Sequence, residues 1–407
     1  MLLGNSLARA TASSKRWRAF AIACLIVPAL LTRLWLIRNL PEPDADAPGH
    51  LGIARALISD PTNVAIHWVY LPAYHFLLAA FLLAGLNGDG VRIVNCALAA
   101  LVPLLVLRYG ESTADPKKDG PSQYVPWIAA VFCAVSPLVN LLGTSAQQET
   151  LFTLLVLGAV WSVDKERLVL AGALLALASL IRYEAWGAVV LLVALRAAGR
   201  VPSIARRLPR RLARACRTSL VVAVPSLVTV ALWLLAHKLR EGQWFGFLRE
   251  LYRYSHAQRE AIHRDLLWFP IQQPLYVFGS VVAVLFFAGL RRAWRPSHVI
   301  PLGIYLFLTG AFLFQGALGS ARYYESLMPF VALSAAHGAC AVGSRSRWIA
   351  PAVCLAASLQ LAALSVQLFL WTWPSNLSAV ANDTGHKGPM PTPGARLPAR
   401  EARASHR

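Results

Sequence analysis

AFAIACLIVPALLTRLWLIRNLPEPDADAPGHLGIARALIS, residues 19–59, is the stretch from which the architecture follows. From Ala19 to Ile37 it is continuously apolar apart from Thr32 and Arg33, and such a run suits one helix through a hydrocarbon core about 30 Å thick, which takes roughly 20 residues. Arg9, Lys15, Arg16 and Arg18 precede the run and no small-residue cleavage site follows it, so it reads as an uncleaved first span. Pro41 and Pro43 end the helix. Beyond them Leu51, Ala54, Leu57 and Ile58 recur at helical spacing, which predicts a short interfacial helix with Asp44 and Asp46 at or just ahead of its N-terminus. The helix dipole favours ionised carboxylates there. They could act as a general base or hold a divalent cation, or simply cap the helix and form the turn.

Outward from this stretch the pattern repeats. Of 407 residues 57% are hydrophobic and 14% charged, and the mean hydropathy is +0.52. That excludes an ordinary soluble domain. Candidate spans fall near 19–38, 68–86, 91–108, 124–143, 149–163, 167–181, 183–198, 216–238, 273–290, 298–317, 325–343 and 347–372. They lack the period-two alternation of barrel strands. The expected fold is an all-α polytopic membrane protein, a bundle of about 11–12 transmembrane or re-entrant helices. It divides into a cytoplasmic N-terminal segment 1–18, a membrane domain 19–373 with outer loops 39–67 and 239–271, and a disordered basic tail 374–407.

The formal charge is +20, from 39 Lys and Arg against 19 Asp and Glu. Its distribution points to membrane topology and not to nucleic acid: arginines gather between spans at Arg206-Arg207, Arg210-Arg211, Arg214, Arg217, Arg291-Arg292, Arg295, Arg345 and Arg347. Strict alternation from a cytoplasmic N-terminus would put the 200–217 cluster outside. One early segment must therefore fail to cross, and 68–86, with Pro72 flanked by Trp68, Tyr70 and Tyr74, suits an interfacial or re-entrant path. Every basic loop is then cytoplasmic, including Lys117-Lys118. The polar residues between spans gather on the other face: Asp44, Asp46 and His50; Gln147, Gln148 and Glu149; Arg182, Tyr183 and Glu184; the 239–271 loop; and Arg322 to Glu325. Ionisable groups beside hydrocarbon are costly, so a convergent set reads as a site; the alternative is helix-end residues that snorkel to water.

The 239–271 loop carries an amphipathic pattern, with Trp244, Phe247, Leu248 and Leu251 on one face and Arg249, Arg253, His256 and Glu260 on another. The six cysteines lie in or beside apolar runs without a CxxC pair and read as small hydrophobes. There is no phosphate-binding glycine loop, HExxH or nucleophile elbow.

In order, these residues resemble the GT-C superfamily of polytopic glycosyltransferases, which includes protein O-mannosyltransferases and bacterial lipid A aminoarabinose transferases. Asp46 matches the Asp of the family's first-loop Asp-Glu pair, His50 the aromatic after it, and Ala54-Arg55 its Ala-Arg. Ala47 replaces the Glu, so Asp44 is the candidate second carboxylate. Leu71-Pro72-Ala73-Tyr74, Val91 to Asn95, Ser136-Pro137 through Glu149, Leu180 to Glu184, and Arg322-Tyr323-Tyr324 with Met328-Pro329 resemble further family stretches.

The resemblance implies an enzyme of the bacterial plasma membrane with its active face outside. It would move a sugar from a polyprenyl-phosphate donor to a hydroxyl of a protein, lipid or glycan, inverting the sugar, with Asp46 as base. Arg322, Arg182 and Arg253, with His256, are the candidate phosphate ligands, since guanidinium binds phosphate oxygens in a fork. His50, Glu149, Glu184 and Tyr323 are the candidate sugar and acceptor contacts. A divalent cation, Mg or Mn, on Asp44 and Asp46 stays open. The rival readings are a transporter or lipid-linked sugar flippase, which would spread ionisable residues through the membrane depth, and a scaffold that kept the fold without the activity.

Overall fold

The computed structural model describes residues 2–44, 46–113, 121–198, 210–262, 268–314, 320–343 and 349–383. All regular structure among them is helical. In chain order the helices are α1 (Leu2–Asn39), α2 (Asp46–Ser59), α3 (Pro72–Leu83), α4 (Gly88–Thr113), α5 (Val125–Ala134), α6 (Pro137–Leu142), α7 (Glu149–Asp164), α8 (Leu168–Ser179) and α9 (Glu184–Ala198). They continue with α10 (Arg210–Glu241), α11 (Gly246–Ile262), α12 (Gln273–Phe278), α13 (Ser280–Ala293), α14 (Val299–Leu313), α15 (Met328–Gly343) and α16 (Ile349–Asp383). Among the described residues six stretches are long and apolar enough to cross a bilayer: Arg16–Asn39, Gly88–Thr113, Ser219–Glu241, Pro296–Leu313, Ala321–Val342 and Ile349–Leu368. Leu31, Trp35, Val190, Leu232, Phe287 and Leu355 point outward, as a lipid-facing surface requires. The chain is an integral, multi-pass membrane protein.

The helices meet at two ends. At one, Arg18 of α1 pairs with Glu111 of α4 at 2.6 Å, Lys165 after α7 reaches the Ser112 carbonyl at 3.1 Å, and Arg295 ahead of α14 donates to the Thr113 carbonyl at 2.6 Å. Arg291 and Arg292, in the last turn of α13, lie just ahead of Arg295. The opposite end gathers 39–46, 67–72, 88–95, 144–149, 180–184 and 321–325. Helix α3 begins and ends there: the Ala73 N–H bonds the Leu180 carbonyl at 2.9 Å, and Gly88, just past its far end, packs on Leu51 of α2. With both of its ends held there, the 12-residue segment lies along that face instead of crossing.

Several expected spans are cut by their own sequence. The segment 124–143 is two helices, because Ser136 is extended (φ −61°, ψ 131°) ahead of Pro137, as the clash with a following proline ring favours. The segment 273–290 bends by 106° between Pro270–Phe278 and Ser280–Ala293. Gly279 makes the bend with φ +77°, and the Gln360 side chain of α16 accepts the Val281 N–H (2.9 Å) that the new helix start leaves unpaired. Helix α10 starts at Arg210, so Arg210, Arg211, Arg214 and Arg217 lie in its first turns and not in a loop. Helix α16 runs on to Asp383, past the boundary expected at 373, although Pro374 within it costs one backbone hydrogen bond. Helix α1 likewise begins at Leu2, within the expected leading segment. Arg206, Arg207, Lys117, Lys118, Arg345, Arg347 and the tail from 384 lie outside the described residues.

Small residues set the helix crossings, as expected where lipid competes with apolar side chains for contact. A methyl group on Gly289 of α13 would run into the Ser334 carbonyl of α15, and one on Gly338 into the Leu285 carbonyl. Ala99, Ala129, Ala171, Ala185, Ala188 and Ala336 are fully buried in the same manner.

Candidate active site

The first loop is fixed by α4. Arg92, buried near the start of that helix, donates from Nε to the Thr144 carbonyl at 2.8 Å and from Nη2 to those of Leu40 at 3.2 Å and Pro41 at 3.3 Å. One turn on, Asn95 donates from Nδ2 to the carbonyls of Ser145 and Gln147, both at 2.6 Å. Residues three apart on a helix share a face, so this face aligns loop 40–46 with segment 144–148. Glu42 closes the joint: its carboxylate accepts the Asp44 N–H at 3.3 Å and the Ala146 N–H at 3.1 Å. Burial, opposed by these bonds and by Arg92, raises the Glu42 pKa above the usual carboxylate value.

Asp44 and Asp46 then face one cation. Asp44 Oδ1 accepts the Asp46 N–H at 2.9 Å, a turn-and-cap bond, and the Gln147 amide at 2.8 Å. Arg322, from the short 3-10 segment Ala321–Leu327, donates to both oxygens of Asp44 at 3.2 and 3.1 Å and to Asp46 Oδ2. Its Nε lies 3.4 Å from Glu149 Oε1. That carboxylate also accepts Arg182 Nη1 at 2.5 Å, while Arg182 Nε and Nη2 bond Glu184 at 3.0 and 2.6 Å. The Tyr323 ring lies between the guanidiniums, 4.8 Å from that of Arg182 and 5.8 Å from that of Arg322. Two arginines thus meet four carboxylates. Below them Glu325 is fully buried and accepts the Thr150 hydroxyl at 3.0 Å. Arg322 Nε, Glu149 Oε2 and Gln147 Oε1 are buried without a hydrogen bond, the condition of a site that expects a polar ligand.

Burial pushes the Asp46 carboxyl up, but Arg322, with His50 and Arg182 behind it, outweighs this and holds its pKa below the usual value. His50, one turn along α2, is buried and its pKa falls to about 4 for that reason. Arg182 is shifted the other way: burial lowers its pKa, but Glu184 and Glu149 more than compensate.

The structure brings Asp44, Asp46, Arg322, Arg182, Glu149, Glu184 and Tyr323 together. It does not bring Arg253 or His256 into this cluster. Arg253 is exposed on α11 and pairs with Glu250 at 2.7 Å, and His256 stacks on Tyr252 at 5.8 Å. Two turns after the buried Phe247, Tyr254 is partly exposed, at 37%. It packs on Trp68 at 5.4 Å and feels the charges of Asp46 and Arg322. Trp244, expected on the apolar face, precedes the helix and is exposed. His50, Glu149 and Glu184 are buried and so reach no acceptor in this arrangement: the two glutamates serve as arginine partners and His50 packs beneath Asp46. Asp44 and Asp46 do not fit a divalent cation as they stand, since Arg322 occupies the gap between them, and among the described residues no group of three or more His, Cys, Asp or Glu is set to hold a metal.

Sequence reasoning passed over Glu42, Gln147 as a partner of Asp44, and Tyr254. Helical periodicity from Phe247 was the available signal for the last. A cleft of about 560 Å³ opens on the other side of the first loop, with Arg38, Arg55, Glu42 and Asp89 in its wall.

A small apolar cluster of Val64, Leu71, Trp233 and Phe247, with Leu180, Tyr183, Trp186 and Leu248 against it, ties α10, α11 and the 180–183 turn over this end. The Tyr183 hydroxyl donates to the Val69 carbonyl at 2.8 Å and completes the tie.

No family model matches the sequence, and no curated protein matches it. The structure is similar to that of ArnT from Cupriavidus metallidurans in the apo state, with TM-score 0.54 and 13% identity over 80% of this chain. It is similar also to ArnT from the same organism bound to undecaprenyl phosphate, with TM-score 0.51 and 15% identity over 92% of this chain and 81% of that one. The chain spans 60% of the length of the first of these. The likeness is one of fold.

Proposed function

From a GT-C transmembrane fold with a carboxylate–guanidinium cluster at one end, we propose that the chain transfers a sugar from a polyprenyl-phosphate donor to an acceptor hydroxyl, with Asp46 as general base. The observation that carries this is the convergence of Asp44, Asp46 and Glu149 on Arg322. A base and a phosphate-binding fork stand side by side where the bundle meets water. The similar structure bound to undecaprenyl phosphate supports a lipid-phosphate donor, and Arg18, Lys165 and Arg295 at the opposite end support an outward-facing site.

The cluster also suggests an order of events. Arg322 is already committed to carboxylates, so an incoming phosphate competes with them for the same N–H groups. When the phosphate takes the fork, Asp46 loses its counter-ion, its proton affinity rises, and it becomes a better acceptor for the hydroxyl proton. That proton goes to Asp46 as the acceptor oxygen bonds the anomeric carbon and the lipid phosphate leaves. The phosphate leaving group makes nucleotide hydrolysis unnecessary.

The test is transfer by purified protein in lipid nanodiscs offered a panel of polyprenyl-phosphate sugars. Asp46→Asn should lower turnover at least about 100-fold with donor binding retained. Asp44→Asn, which weakens the competition for Arg322, should tighten binding of the lipid phosphate. A donor that stays intact while its headgroup crosses the bilayer would replace this reading with a flippase.

A further inference from the structure

Two arginines of the cleft beside the first loop have no hydrogen bond or ion pair among the described residues. Arg38 stands in the last turn of α1 and Arg55 in the body of α2. Both are exposed, and both line the space of about 560 Å³ that Glu42, Asp89 and Arg92 also border. The other charges in this wall are engaged with one another. Asp89 pairs with Arg92 at 3.2 Å, and Glu42 lies 3.7 Å from the same guanidinium while accepting the Asp44 and Ala146 N–H groups. The uncompensated charge is therefore positive and comes from two different helices. Complementing the helix dipole would account for Arg38 alone; it does not account for Arg55 opening on the same space.

The surroundings are those of the membrane boundary. Trp35 and Leu31, one and two turns before Arg38 on the same face of α1, are exposed within the stretch Arg16–Asn39 that is long and apolar enough to cross the bilayer. Helix α4, which packs on α1, turns Ile93 and Leu101 outward in the same way. Arg38 thus tops an apolar stripe that faces lipid. A soluble anion would meet only the arginines, whereas an anionic headgroup with acyl chains meets the arginines and the stripe together.

We propose that this cleft binds the phosphate of an anionic phospholipid, with Arg38 and Arg55 on the phosphate oxygens and the acyl chains along Leu31 and Trp35. Guanidinium suits the task because its N–H groups pair with phosphate oxygens in a fork, and a basic pocket at the hydrocarbon boundary adds attraction with each charge. The site is separate from the Arg322 cluster and does not rest on the transferase reading. Arg38 precedes the first loop and Arg55 follows it, so one phosphate held by both ties together the helices on either side of Asp44.

The test is binding by the purified full-length chain, delipidated in detergent and titrated with phosphatidylglycerol, phosphatidylcholine or soluble glycerol 3-phosphate, with bound lipid counted by native mass spectrometry. One phosphatidylglycerol should bind in preference to phosphatidylcholine. In Arg38→Gln/Arg55→Gln its apparent Kd should rise at least about 10-fold, while that of phosphatidylcholine stays as in wild type. Arg55→Gln alone should give part of the loss, and carries the test if the double variant does not fold. Amide exchange at Leu40, Glu42 and Asp44 should slow when phosphatidylglycerol is added to wild type and not when it is added to the variant. Equal affinity of wild type and variants for phosphatidylglycerol overturns the site, as does equal binding of the two lipids by wild type. Glycerol 3-phosphate that displaces the lipid at equal concentration overturns the lipid assignment in favour of a free phosphate ester. Lipid bound without slowed exchange overturns the tie across the first loop. Sugar transfer, present or absent, alters none of these readings.

Discussion

Asp46 lies where burial alone would favour the neutral acid, and the Arg322 guanidinium reverses that preference. The sign of the pH dependence follows. A carboxylate base acts when deprotonated, so activity is present above its pKa and is lost as pH falls through it. With the pKa held below the usual value, the acid limb of kcat/KM should lie below the ordinary carboxylate range. In Arg322→Gln burial is opposed only by the weaker pull of His50 and Arg182, and the limb of the residual activity should move upward. A pH–rate profile of the two proteins checks this, and an unmoved limb would mean that another group is the base. The same scale shows how much of the site could be read directly. Asp44, Asp46, Arg182, Glu149, Glu184, Tyr323 and Arg322 are ionisable or aromatic residues at span ends, where hydrocarbon makes any such residue conspicuous. The shared cleft of Arg38 and Arg55 gave no comparable sign, because each arginine looks like a membrane-topology signal until both are found lining one space.

Helices α4 and α11 show what an element adds beyond its residues. Arg92 and Asn95 project from one face of α4 into backbone carbonyls of two loops, so Arg92→Met should release the first loop and impair kcat and KM together, although Arg92 touches no substrate in this scheme. Equal kinetics for Arg92→Met and wild type would sink that role. On α11 the buried Phe247 packs against Trp233, His237 and Tyr183, while Tyr254 reaches Trp68 and Arg253 pairs with Glu250 in solvent. At the α13–α15 crossing Gly338 sits against the Leu285 backbone. Gly338→Val should cost about 1–3 kcal/mol or more, since backbone cannot yield as a side chain would. A lowered midpoint in detergent thermal unfolding checks it, while Gly310→Ala, where no atom lies within 4 Å of an added methyl, should leave the midpoint nearly unchanged.

At the scale of the whole molecule, the proposal requires the site end to face outward and the basic end inward. A membrane-impermeant maleimide applied to intact cells should label Thr62→Cys, beyond α2, and should label Lys165→Cys, beyond α7, only after permeabilisation. The opposite pattern would place the site in the cytoplasm and remove the case for an outer-face acceptor. The two ends were separable in the sequence because arginine counts differ between alternate connections, and α3, at 12 residues, is the short segment on which the parity turns.

Composition and continuous hydropathy were sufficient for an all-helical membrane bundle, since a backbone in hydrocarbon must satisfy its own hydrogen bonds and helices do so locally. The acidic first loop and its interfacial helix were equally local, written in prolines, carboxylates and a helical repeat. Which carboxylate meets which guanidinium was not local. Asp44 and Arg322 are 278 positions apart, and their pairing depends on α4 fixing one loop and on the short turn at 321–327 delivering the other. The break at Gly279, the packing of α11 and the meeting of Arg38 and Arg55 at one cleft likewise depend on contacts between distant segments. Tertiary packing decided these, because a side chain's partner, burial and proton affinity are set by what the folded chain places beside it.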